Sequence, residues 1–105
     1  MISKHQIKSL ANFISERFDT KKIFVFGSYA HGKAASDSDL DLCIVTELGN
    51  RRKIDIMREI RQEIKSTFHF PLDVLIYDDE EFSGRALHQN TLEHNISKHG
   101  ILIHG

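Results

Sequence analysis

Lys22-Ile23-Phe24-Val25-Phe26-Gly27-Ser28-Tyr29-Ala30-His31-Gly32-Lys33-Ala34-Ala35-Ser36-Asp37-Ser38-Asp39-Leu40-Asp41-Leu42-Cys43-Ile44-Val45 is the stretch on which the reading of this chain turns. A β-branched and aromatic run stops at Gly27-Ser28, a polar loop follows, and a second apolar run resumes around Asp39 and Asp41. Runs rich in Val, Ile and Phe, bounded by Gly, Ser and Asp, are what buried strands leave in a sequence, so two short strands joined by a loop are expected. Side chains alternate faces along a strand. Asp39 and Asp41 therefore point one way, and Leu40 and Leu42 the other. Two like charges side by side at the start of a buried strand are costly, and a bound cation is the usual compensation. The Gly27-Ser28 turn offers backbone N–H groups and a hydroxyl to a phosphate, and glycine lets such a ligand approach closely.

Upstream, Ser3 and Gln6 have the spacing of a capping box, and Ile2 with Ile7 that of a hydrophobic staple. Ile7, Leu10, Ala11, Ile14 and Phe18 then fall on one helical face, which should pack on the sheet. Downstream, Asn50 is a candidate cap for a second helix with Ile54, Met57, Ile60 and Ile64 at helical spacing. Its many charges read as a solvated face. Pro71 opens a third strand, Leu72 to Ile76, in which Asp73 is out of place, because aspartate is depleted from strands and costly beside apolar neighbours unless paired or metal-bound. Asp78, Asp79, Glu80 and Glu81 suit the amino end of a further helix. A last helix from Leu92 to Lys98 ends at Gly100, read as its C′ residue, and Ile101 to Ile103 offer an edge strand.

The 105 residues allow one domain, residues 1–105, with no room for a second. A net charge of −1 gives no global pull toward nucleic acid, so direct nucleic-acid binding is not expected. Cys43 is the only cysteine, which excludes an internal disulfide and suits a reducing compartment. There is no membrane-spanning run and no secretory signal, and a cytoplasmic location is expected.

Competing motifs fail on particular residues. Gly27 to Lys33 follows most of a phosphate-loop pattern, but Ala34 stands where the magnesium-binding hydroxyl belongs, and no helix starts after Lys33. Asp37, Asp39 and Asp41 imitate a calcium loop until Leu42 replaces the required glycine. None of the histidines forms an i, i+4 pair on one helix, and His94 and His99 are surface candidates. Cys43 reads as a core residue rather than a nucleophile. Tyr29 is either loop packing or a self-modification acceptor.

Gly27-Ser28, ten intervening residues and Asp39-Leu40-Asp41 resemble the signature of the DNA polymerase beta-type nucleotidyltransferase superfamily. The longer pair, Gly27-Ser28-Tyr29-Ala30-His31-Gly32 with Ser38-Asp39-Leu40-Asp41-Leu42, is similar to the minimal nucleotidyltransferase (MNT) domains of prokaryotes. Many of those are antitoxins paired with an all-helical HEPN toxin. The resemblance covers most of the chain, and the two halves at this spacing are far more specific than either alone. It implies an α/β (α+β) nucleotidyltransferase fold, a small mixed β-sheet with helices packed mainly on one face. It also implies a third carboxylate from a later strand beside the Asp-x-Asp strand, for which Asp73 is the placed residue.

The site so implied has Asp39, Asp41 and Asp73 as catalytic and metal-binding residues, and Gly27, Ser28 and Ser38 holding the nucleotide. Mg²⁺ is the expected cofactor, with Mn²⁺ as a substitute and ATP as substrate. The leading expectation is a type VII-like antitoxin that transfers AMP to a tyrosine of its helical HEPN-type partner. A small-molecule or RNA acceptor, or a non-catalytic partner-binding subunit, are the alternatives. Larger relatives carry an added domain that grips the acceptor, so a partner protein or a second copy in a homo-oligomer should complete this site. His31 stands where MNT domains usually carry arginine, and a neutral imidazole cannot make a guanidinium's forked contact.

Overall fold

The amino-terminal helix starts where its capping signals put it. In the computed structural model, which describes residues 1–105, helix α1 spans Lys4–Arg17. Ser3 Oγ accepts from the Gln6 N–H at 3.1 Å while the Ser3 N–H donates to Gln6 Oε1 at 2.8 Å, closing the capping box. Strand β1 is Thr20–Phe26, β2 is Leu40–Thr46, β3 is Leu72–Asp78 and β4 is Ile101–His104. Helix α2 is Lys53–Thr67, α3 is Asp79–Ala86 and α4 is Leu92–His99. No helix is long and apolar enough to cross a membrane.

The four strands form one mixed sheet in the order β3-β2-β1-β4. Strand β1 runs antiparallel to both β2 and β4, whereas β2 and β3 are parallel. Parallel neighbours need a long crossover, and α2 supplies it.

Strand alternation divides the core in two. Ile23, Val25, Leu40, Leu42, Ile44, Val74 and Ile76 meet Leu10 and Ile14 of α1 and Ile56, Ile60 and Ile64 of α2. On the other face Phe24, Cys43, Val45 and Tyr77 meet Phe82 of α3 and Ile96 of α4. The two long helices therefore lie on one face, as expected, and the two short ones cover part of the second. Strands β2 and β3 are apolar on both faces at their carboxyl-terminal ends, and such strands demand cover on both sides.

Two local expectations are corrected. Helix α2 starts at Lys53 with Arg52 at its cap position and no side-chain cap, so Asn50 does not cap it. A turn closed by the Arg51 N–H on the Leu48 carbonyl at 3.0 Å keeps Asn50 outside the helix. Gly100 ends α4 with φ −71°, not in the left-handed conformation of a C′ glycine. It is glycine for another reason: a Cβ there would press on the Ile96 carbonyl and lie 3.2 Å from the Val25 carbonyl oxygen. The last turn of α4 itself leaves no room for a side chain, and β1 crowds the same point.

Ile60 is fully buried and Ile54, on the same helix, is 51% exposed. Ile60→Ala is predicted to cost about 2–5 kcal/mol of unfolding free energy in urea titrations, and Ile54→Ala less than about 0.5 kcal/mol. Similar losses at both positions would mean that α2 packs on a different face.

Candidate active site

Asp41 on β2 and Asp73 on β3 are register partners in the parallel pair. The register is set at the strand starts, where the Leu40 N–H donates to the Pro71 carbonyl at 3.0 Å. Paired positions on neighbouring strands lie roughly 4.8 Å apart and share a face. Asp39 immediately precedes β2, one pleat back, with the same parity as Asp41. Leu40 and Leu42 are fully buried on the opposite face, under α1 and α2. The three carboxylates are therefore brought to one end of one sheet face.

That face changes character along its length. Cys43, Val45 and Tyr77 are buried beneath α3 and α4, whereas Asp41 is half-buried and Asp39 and Asp73 are exposed. The Asp41 carboxyl is pushed up from its ordinary value, first by burial, then by the charge of Asp73, then by that of Asp39. Their mutual repulsion is the unfavourable term that a cation would relieve. The donor set is carboxylate oxygen throughout, which suits hard divalent ions rather than zinc. It is not a closed cage, because no group of three or more His, Cys, Asp or Glu side chains is gathered tightly enough to grip an ion unaided. Mg²⁺ commonly takes only one or two carboxylates and completes its shell with water and phosphate oxygens, so this open arrangement fits it.

Gly27 ends β1 with φ +72° and opens a 3₁₀ turn, Gly27–Tyr29. A Cβ on Gly27 would collide with the Asp41 carboxylate, lying on Oδ2 and 3.1 Å from Cγ. Glycine is thus required both by the backbone angle and by the proximity of Asp41. The turn is closed by the Ala30 N–H on the Gly27 carbonyl at 3.1 Å and the Lys33 N–H on the Ser28 carbonyl at 2.9 Å. The first N–H groups of such a turn have no partner within it. Ser28 sits half-buried in this turn, and Phe26, the residue before it, pairs with Asp41. Ser38 lies at the far end of the loop, where its hydroxyl accepts from the Ala35 N–H at 2.8 Å. Its visible contribution is to close the turn that delivers Asp39.

Tyr29 takes part in packing: its hydroxyl accepts from the Ile2 N–H at 3.1 Å, and its ring rests on the main core. His31, Lys33 and Asp37 are exposed. Cys43 is fully buried, and burial and Glu93 push its thiol up to about 12, so it is inert. A polar contact behind the site was invisible in the sequence. Glu93, only 6% exposed, accepts from the Tyr77 hydroxyl at 3.1 Å and lies 3.8 Å from Arg85. Tyr77 is pushed up to about 12, first by burial and then by its bond to Glu93. The contact ties α4 to β3 behind the carboxylates, and only the pairing of two segments distant in sequence creates it.

Two outcomes follow from the Asp41 environment. Its raised pKa means that the folded chain binds this proton more tightly than the unfolded chain, whose ordinary value is 3.8. Stability from this group is fully present below that value and is lost as pH rises through the native pKa. Without divalent ions, Asp41→Asn should therefore melt increasingly above the parent as pH rises from about 3 to about 8. A pH-independent gap would contradict the repulsion. Separately, Gly27→Ala should cost about 1–3 kcal/mol, and distinctly less in an Asp41→Gly background, as measured by a double-mutant cycle in urea.

Comparison with known proteins places the chain in a family. Residues 7–103 match the family model described as nucleotidyltransferase domain. The chain is 26% identical over 98 residues to a Methanocaldococcus jannaschii protein named "Putative protein adenylyltransferase MJ0604", covering 89% of this chain and 94% of that one. Its fold is shared with a crystal structure described as a putative nucleotidyltransferase from Sulfolobus solfataricus, with a TM-score of 0.59 and 20% identity over 74% of this chain and 68% of that one. A chain from a crystal structure described as "the toxin-antitoxin with AMP-PNP" superposes with a TM-score of 0.57 and 22% identity, over 94% of this chain and 69% of that one. With a family match that spans nearly its whole length, the chain belongs to the nucleotidyltransferase domain family.

Proposed function

We propose that this chain transfers AMP from ATP to a tyrosine hydroxyl of a helical HEPN-type toxin and thereby acts as its antitoxin. The observation that carries the reading is the register pairing of Asp41 with Asp73 beside Gly27, a residue whose missing side chain leaves room for Asp41. The name of the methanogen relative and the nucleotide analogue in the toxin-antitoxin structure support the choice of acceptor class and nucleotide.

Asp39, Asp41 and Asp73 would hold two Mg²⁺ ions, or Mn²⁺ in their place, which supply charge neutralisation of the triphosphate and a lowered pKa for the attacking hydroxyl. The remaining roles fall to the chain itself. The open N–H groups of the Gly27–Tyr29 turn and the Ser28 hydroxyl bind the β- and γ-phosphates, which aligns the leaving pyrophosphate with the attack. Ser38 keeps the loop folded so that Asp39 stays beside Asp41. The acceptor oxygen bonds to the α-phosphorus, the bond to the bridging oxygen breaks, and pyrophosphate leaves with that electron pair. The hydroxyl proton passes to Asp73, the exposed carboxylate on the outermost strand. The exposed end of this face leaves the acceptor side of the site to be completed by the partner.

The test mixes the chain with the protein encoded beside it, radiolabelled ATP and Mg²⁺. The partner should be labelled on tyrosine, and Asp41→Ala or Asp73→Ala should reduce the rate by ~10³-fold, the kinetic equivalent of about 4 kcal/mol, with the fold intact by circular dichroism. Neutralisation of the partner by the unlabelled double variant Asp39→Ala, Asp41→Ala would show a binding subunit instead. Label on RNA or a small molecule alone would reject the protein acceptor.

A further inference from the structure

Three carboxylates and a triphosphate would bring roughly seven negative charges to one end of the sheet, and two divalent ions would offset only about four of them. The remainder calls for a cation from the protein, as in the Arg and Lys clamps that hold transferring phosphates. Candidates are few. From Ile23 to Asn50 the sequence holds no arginine and no lysine except Lys33, and β3 has neither.

The loop fixes where Lys33 stands. Gly32 bends the chain at φ +66° with nothing within 4 Å of the place its Cβ would take, so glycine serves the backbone angle there and not a close contact. The bend brings the Lys33 N–H back onto the Ser28 carbonyl at 2.9 Å. Two residues on, a second turn is closed by the Ser38 N–H on the Ala35 carbonyl at 3.1 Å and by the Ala35 N–H on the Ser38 hydroxyl at 2.8 Å. The Lys33 backbone is therefore held from both sides, one hydrogen bond away from Ser28. Its side chain is exposed and forms no ion pair, even with Asp37 four residues on. A flexible four-carbon stem lets the ammonium reach a phosphate resting on that turn. Lys98 is the competing cation, because the end of α4 comes close to Val25. It lies in the last turn of α4, where the electronegative end of the helix opposes a phosphate.

We propose that Lys33 binds the β- and γ-phosphates of the nucleotide and makes the site favour a triphosphate over a monophosphate. The inference rests on the reading that the triphosphate lies on the Gly27–Ser28 turn. An ammonium in this place meets the bound triphosphate and the departing pyrophosphate alike, so its loss weakens binding more than it slows the chemical step.

The test is calorimetric titration of the chain with AMP-PNP and with AMP, each with Mg²⁺ at low salt, for the parent, Lys33→Gln, Lys33→Arg, Lys98→Gln and Ser28→Ala. In Lys33→Gln the AMP-PNP affinity should fall about tenfold and the AMP affinity less than about twofold. Lys33→Arg should return AMP-PNP affinity to within about threefold of the parent, and Lys98→Gln should match the parent. Added salt should shrink the difference between Lys33→Gln and the parent. No binding of AMP-PNP by the parent, equal binding by Lys33→Gln, an equal loss for AMP, or a loss confined to Lys98→Gln would overturn the proposal. Loss in Ser28→Ala with none in Lys33→Gln would remove Lys33 and keep the turn, whereas AMP-PNP binding indifferent to both would remove the turn as well. Binding that depends on Lys33, with no label on the partner protein, would keep this role for Lys33 and sink the choice of acceptor.

Discussion

Repulsion between carboxylates that the backbone will not let separate is the constraint from which the site follows. Asp41 and Asp73 are fixed side by side because β2 and β3 are parallel and in one register, and that register cannot slip by one residue without turning Leu40, Leu42, Val74 and the buried ends of both strands to the wrong faces. The core thus holds the acids together, and the acids account for none of the stability of the core. Burial on one side and like charge on two others keep Asp41 a poor place for an isolated negative charge. A cation placed beside Asp41 would relieve that repulsion.

The same economy of space appears at Gly27. The end of β1 and the start of β2 converge so closely that the Asp41 side chain takes the volume a Cβ would fill. The turn at Gly27 and the carboxylate row are therefore one structural unit. Behind them, the two short helices close the apolar end of that face, with the Tyr77 to Glu93 bond fastening α4 to β3. The other end, with Asp39 and Asp73, is open to solvent.

Much of this was legible because the signals are local. The two strands around the loop, the shared face of Asp39 and Asp41, and the capping box at Ser3 depend on residues within a few positions of each other. The anomaly of Asp73 inside an apolar run was legible too, but its pairing with Asp41 is a property of topology, set by the α2 crossover and by the bond from Leu40 to Pro71. Where local signals failed, another contact outweighed them. Gly100 looks like a left-handed helix end, yet it is glycine because a Cβ would press on the Ile96 carbonyl of the same helix, with the Val25 carbonyl close by. Asn50 looks like a cap, but the turn at Leu48 to Arg51 holds it away from α2. No local signal marks Glu93, which only the folding of α4 onto β3 buries against Tyr77.

The most direct measurement of the central claim is anomalous diffraction at the manganese edge from crystals grown with Mn²⁺ and a non-hydrolysable ATP analogue. The account predicts manganese bonded to oxygens of Asp41 and Asp73, with the triphosphate resting on the turn at Gly27 and Ser28. Manganese found elsewhere, or a triphosphate bound away from that turn with these carboxylates free of metal, would contradict it.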